Sequence, residues 1–71
     1  MDMVSSVKEC AERVLSEIAR TDKLNILSVA GHLGERSLLV YQSIGWLACE
    51  GRIRYLQEGN QVYISLAENG E

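Results

Sequence analysis

The sequence predicts an α+β domain of three helices followed by a two-stranded hairpin. Three observations lead there. Apolar residues recur at three- and four-residue steps over Val7–Ile18. Two further apolar segments each end on a glycine, Gly34 and Gly51. Two alternating segments, IRYLQE and QVYISL, flank Gly59-Asn60 near the C-terminus. The chain has 71 residues, one domain's worth, in the range where a single core is only just sufficient.

The first helix is expected from about Ser6 to Arg20. Ser6-Val-Lys-Glu9 has the S-x-x-E form of a capping box, in which serine and glutamate satisfy each other's end-of-helix amides. Val7, Ala11, Val14 and Ile18 form one stripe, flanked by Cys10 and Leu15. Glu9 and Arg13 have the i, i+4 spacing of a helix-surface ion pair. Lys8, Arg13 and Arg20 are assigned to the solvated side, and Lys23 to the loop after the helix. Thr21-Asp22-Lys23 ends the helix, and Leu24 allows a strand stub of one or two residues. Asn25 is a good N-cap for a second helix, Ile26 to Leu33, which Gly34 stops at the position where a left-handed residue is favoured. The third helix is expected from Arg36 or Ser37 to Glu50, with Gly51 as its stop. In the hairpin, a two-residue loop pairs Glu58 with Gln61, Leu56 with Tyr63 and Arg54 with Ser65. The alternate face then holds Ile53, Tyr55, Val62, Ile64 and Leu66 and should pack on the core. Residues 1–5 and 67–71 are expected to fray.

The residues resemble the winged helix-turn-helix superfamily. Ala30, Gly34 and Val40 stand where its signature has a small residue, a turn glycine four later and an apolar residue six after that. Val40, Ile44, Leu47, Glu50, Gly51 and Ile53 resemble a recognition helix entering its wing. Ile44–Ile53, IGWLACEGRI, is similar to a small family of stand-alone bacterial winged-helix proteins with no assigned activity. The resemblance runs from Val7 to Leu66 and implies a fold, not a function. In two respects the chain departs from DNA-binding members. The third helix offers only Arg36, Ser37 and Gln42 as groove-reading residues, interleaved with Leu38, Leu39 and Tyr41. The wing tip, Glu58–Gln61, carries no cation.

Bulk charge points the same way. Ten acids against seven Lys plus Arg give a net charge of −3, where a phosphate-binding domain usually shows a basic face. Cys10 and Cys49 have no metal-site spacing, His32 has no ligand partner at a matching spacing, and no nucleotide or hydrolase motif occurs. No enzyme, cofactor, metal or small-molecule substrate is expected. The N-terminus has no signal-peptide pattern and no segment is apolar for long enough to span a bilayer, so a cytoplasmic location without a membrane partner is expected.

The third helix is apolar on nearly every side. With Val40, Ile44 and Leu47 toward the core, Leu38, Gln42, Gly45 and Cys49 lie opposite. Leu39 and Trp46 share one flank, and Tyr41 takes the other. The bland alternative packs Tyr41 and Trp46 on the first helix and the wing. The sharper expectation is a protein interface, another protein or a second copy of this chain, made by Leu38, Leu39, Tyr41, Trp46 and the outer wing pair Leu56 and Tyr63. The competing expectation is a DNA-binding regulator, with Arg36, Ser37 and Gln42 in a groove and Arg52 and Arg54 on phosphates. For those arginines the local reading is solvation or pairing with Glu35 and Glu50. Fold analogy alone is a weak warrant for function, so the interaction reading is placed first.

Overall fold

The computed structural model describes residues 3–67. Its elements are α1 (Met3–Thr21), β1 (Lys23–Asn25), α2 (Val29–Leu33), α3 (Ser37–Cys49), β2 (Ile53–Glu58) and β3 (Gln61–Leu66). This is the winged helix-turn-helix fold the sequence predicts. The strands form one antiparallel sheet in the order β1-β3-β2.

Helix α1 begins at Met3, a turn earlier than the Ser6 expectation. No proline or glycine stands upstream to stop it, so Ser6 is an interior residue and the capping box is not used. Of the ends expected to fray, Met3–Ser5 belong to α1, while residues 1–2 and 68–71 lie outside the described residues. Helix α2 is shorter than expected. Asn25 Oδ1 accepts from the Leu27 amide at 2.9 Å, a local turn that uses the asparagine before any helix starts. The helix opens at Val29 instead, with Ser28 at the N-cap position.

All three helices end in left-handed residues. At Gly34 (φ 66°) the Glu35 amide reaches the Ala30 carbonyl at 3.1 Å and the Gly34 amide reaches Gly31 at 3.3 Å. At Gly51 (φ 75°) the Arg52 amide reaches Leu47 and the Gly51 amide reaches Ala48, both at 3.0 Å. Both pairs are the six-to-one and five-to-two bonds of a Schellman motif. Helix α1 uses Asp22 at φ 82°, with its amide bonded to the Ile18 carbonyl.

The wing has the expected register, Glu58 with Gln61, Leu56 with Tyr63 and Arg54 with Ser65. In its loop only Gly59 has positive φ, the pattern of a II′ turn, whose twist suits flanking strands. Strand β1 adds Leu24 beside Ile64. The core joins Cys10, Ala11, Val14 and Ile18 of α1 to Val29, Leu39, Val40, Ile44 and Leu47 of the helix pair and to Leu24, Ile53 and Ile64 of the sheet. Ser43 is fully buried, its hydroxyl 2.8 Å from the Leu39 carbonyl and 3.1 Å from that of Val7. A small residue there lets α3 approach α1 closely while its polar group stays satisfied.

One expectation about the wing needs correction. Tyr55 and Leu66 lie on the face that carries Ile53 and Ile64, yet Tyr55 is 50% and Leu66 39% exposed. Tyr55 stands on the edge strand β2, beyond the part of it where Ile53 reaches the core, and Leu66 is the last residue of the central strand β3.

Arg13 also departs from expectation. Rather than pairing with Glu9, it donates to the Leu33 carbonyl at 2.5 Å and to Glu35 Oε2 at 2.9 Å. It therefore ties α1 to the turn of the helix-turn-helix and satisfies a carbonyl that the end of α2 leaves open. Arg13→Met should cost about 1 kcal/mol, less than a buried charged hydrogen bond because the side chain is half-exposed. The urea midpoint of the variant reads that loss.

Glu17 makes a second tie. Its carboxylate takes Arg20 from its own helix and lies 3.5 Å from His32 Nδ1 of α2. The Arg20 hydrogen bond, aided by the nearby charges, holds the Glu17 pKa below its ordinary 4.5. A carboxyl with a lowered folded-state pKa adds stability that is complete above its unfolded value and disappears as pH falls through the folded one. Glu17→Gln should thus be less stable than the parent at pH 7, with the two acid-denaturation curves converging below pH 4. Curves that stay parallel into that range would contradict the assignment.

Candidate functional site

Helix α3 holds the recognition position of the fold, between the Gly34 turn and the wing. Its thirteen residues, SLLVYQSIGWLAC, include no charged side chain. Leu39, Val40, Ser43, Ile44 and Leu47 are buried, and the helix packs through them on α1 and the sheet. The opposite face is open. Leu38 is 67% and Tyr41 43% exposed, and Gln42, Gly45 and Cys49 are exposed with them. At 100° per residue these five form one stripe along the helix.

Of the expected interface residues, Leu38 and Tyr41 stand on this stripe. Leu39 does not: it is 7% exposed and belongs to the core. Its turn of the wheel faces α1, where it lines a shallow groove with Cys10 and Arg13. Trp46 is half-buried against the core and borders the stripe. Leu56 and Tyr63 face each other across β2 and β3, both half-buried. The alternation of the strands puts them on the sheet face away from Leu24, Ile53 and Ile64. The outer wing pair therefore stands on the outer face of the sheet, and the stripe on the face of α3 turned away from the core. The wing pair is further modified by Lys23, whose ammonium sits 4.5 Å from the Tyr63 ring centroid and 2.7 Å from Glu58. Glu58 raises the Lys23 pKa above its ordinary 10.5.

The groove and phosphate candidates are all at the surface. Arg36 is the extended residue just before α3, and Ser37 and Gln42 are exposed on the helix. Glu35, its nearest acid in sequence, is taken by Arg13, so Arg36 has no ion-pair partner among the described residues. Arg52 lies 3.8 Å from Glu12 of α1 and is not ion-paired with Glu50. Arg54 projects from the wing opposite Ser65. These cations sit at the two ends of α3 and on the wing, with an uncharged helix between them.

Two residues that the sequence placed on a face, without a role in the site, stand out in the structure. Gly45 lies mid-helix on the open face, and a Cβ built there meets nothing within 4 Å. Tyr55 is an exposed wing aromatic on the same sheet face as the core. The glycine was visible in the sequence, but its open surroundings depend on which neighbours cover α3. Tyr55 was hidden by alternation, which gives the face of a strand and not its place in the sheet. Among the described residues no helix is long and apolar enough to cross a membrane, and no three His, Cys, Asp or Glu side chains gather as a metal site.

Among solved structures the chain matches the crystal structure of the AntR antimony-specific transcriptional repressor, with a TM-score of 0.67 and 23% sequence identity. The match covers 79% of this chain and 50% of that one, so this chain spans about half the length of that repressor. At this identity the likeness shows the winged-helix fold. No protein-family model and no curated protein matches the chain.

Proposed function

We propose that this winged helix is a non-enzymatic regulatory module of the cytoplasm that uses the recognition position of its fold to meet another protein. The observation that carries this reading is the open face of α3: thirteen residues without a charge, with Leu38 and Tyr41 exposed and Gly45 leaving bare backbone. Exposed apolar side chains grouped on one face mark an interface more often than isolated ones do. An uncharged helix gains little from a polyanion, whose affinity comes chiefly from releasing counterions by phosphate contacts.

A second reading has its own support. The AntR protein is a transcriptional repressor with this fold, and Arg36, Ser37, Gln42, Arg52 and Arg54 are all exposed. In that reading Gln42 and Ser37 read base edges while the arginines hold phosphates. Against it stand the net charge of −3 and the engagement of Arg52 with Glu12.

Titration with mixed-sequence duplex DNA at low salt, followed through backbone amide resonances, separates the two. The protein-contact reading predicts no saturable shifts at Arg36–Ser43 or Arg52–Arg54. Shifts concentrated there that disappear on adding salt would overturn it in favour of DNA.

A further inference from the structure

The open face of α3 has the shape and charge pattern of a surface complementary to itself, and we infer that its occupant is a second copy of this chain, packed antiparallel across a two-fold axis. The inference rests on the protein-contact reading of α3 and names the partner.

A two-fold interface brings the same patch together from both sides, so residue i touches j and j touches i. The patch must therefore carry both a projection and a recess to receive it. Tyr41 and Gly45 supply them one helical turn apart: a 43%-exposed ring beside a backbone position with nothing within 4 Å. The stripe Leu38, Tyr41, Gln42, Gly45, Cys49 is centred at Ser43. An antiparallel partner centred there sets each Tyr41 ring against the other's Gly45, and each Leu38 beside the other's Ala48 and Cys49. Two lone tyrosines facing each other without the glycine would hold the helices apart.

Charge selects both the partner and the direction. The stripe is uncharged in a chain that is 24% charged, so a second such stripe can cover it without burying an unpaired charge. Arg36 precedes α3 and Glu50 follows it, and neither has an ion-pair partner among the described residues. The antiparallel arrangement brings each arginine end toward the other's glutamate end and opposes the helix dipoles. A parallel arrangement would align like charges and like dipole ends. A contact made by one helix face is smaller than the roughly 800 Å² per partner of a standard interface, so the dimer is weak and forms with rising concentration.

Sedimentation equilibrium of the full chain up to millimolar concentration tests this. The average mass should climb from the monomer's 7.9 kDa toward twice that value. Gly45→Arg should stay monomeric with unchanged helicity, since the new side chain projects into open space. Direction is read by mild oxidation. Leu38→Cys should cross-link to Cys49 of a second molecule, while the unaltered chain should not, its two Cys49 positions lying about 18 Å apart along the axis at 1.5 Å per residue. A monomeric mass at every concentration, a Gly45→Arg variant that dimerises like the parent, or cross-linking of the unaltered chain through Cys49 would each overturn the inference. A monomer whose α3 resonances also ignore DNA removes the second copy alone. A monomer whose α3 resonances follow DNA removes the protein-contact reading with it.

Discussion

Leu47→Ala should cost about 3 kcal/mol and lower Tm by roughly 10–20 °C. Leu47 is fully buried in the cluster that joins α3 to α1 and the sheet. Truncation there removes apolar burial and leaves a cavity that the surroundings fill only in part, at 2–5 kcal/mol in typical cores. A domain of this size holds about 4–11 kcal/mol in total, and each 1 kcal/mol moves Tm by about 4–8 °C. The matched control is Leu38→Ala, nine residues earlier on the same helix. Leu38 is 67% exposed, so the same truncation should change Tm by at most a degree or two in dilute solution. Circular dichroism melts of the two variants fix the orientation of α3. Equal losses at both sites would mean that the helix is rotated or that Leu38 is covered.

Gly45→Ala should raise the stability of the dilute protein by about 0.8–1 kcal/mol, because glycine in a helix interior is that much less favourable than alanine. The added methyl meets nothing within 4 Å, so no steric penalty offsets the gain. A melt of the variant below the association range should therefore show a Tm higher by about 4–8 °C. At high concentration the same methyl obstructs the recess beside Tyr41, and association should weaken. The two effects have opposite signs. A glycine kept for the fold would lower both quantities when replaced, and a glycine with no role would raise stability and leave association alone.

Much of this architecture can be read in the sequence, for identifiable reasons. Gly34 and Gly51 mark the ends of α2 and α3 because both positions need a left-handed backbone. The wing register follows from a two-residue loop at Gly59-Asn60, since a slip by one residue would turn Ile53 and Ile64 to the wrong face. Readings that depended on tertiary surroundings failed. The Ser6–Glu9 pattern describes one way to start a helix, but nothing upstream stops the chain from starting sooner. Arg13 had a local acid at Glu9 and took a distant one at Glu35, because the packing of α1 on the helix-turn-helix brings that acid closer. Tyr55 and Leu66 were assigned to the core by alternation, which gives the face a side chain takes and not whether a helix covers that part of the sheet.

The candidate site was legible in part. The absence of charge on α3 is a property of the sequence, and it identified the helix before any neighbour was known. Which apolar residues remain open is a property of packing. Leu39 and Leu38 are adjacent and chemically identical, yet one faces α1 and the other faces solvent. Leu56 and Tyr63 were expected on the outer face of the wing from the two-residue loop alone, and the observed register pairs them there.

The central claim is that the open face of α3 contacts protein and not nucleic acid. Its most direct test is a dilution series of backbone amide spectra, recorded from millimolar to low micromolar protein in the absence of any ligand and then repeated at one concentration with duplex DNA. The account predicts that Leu38, Tyr41, Gln42, Gly45 and Cys49 move with protein concentration while buried Val14 and Ile64 stay fixed, and that DNA moves none of them. Resonances of that stripe that hold still on dilution and shift with DNA in a salt-sensitive way would contradict it.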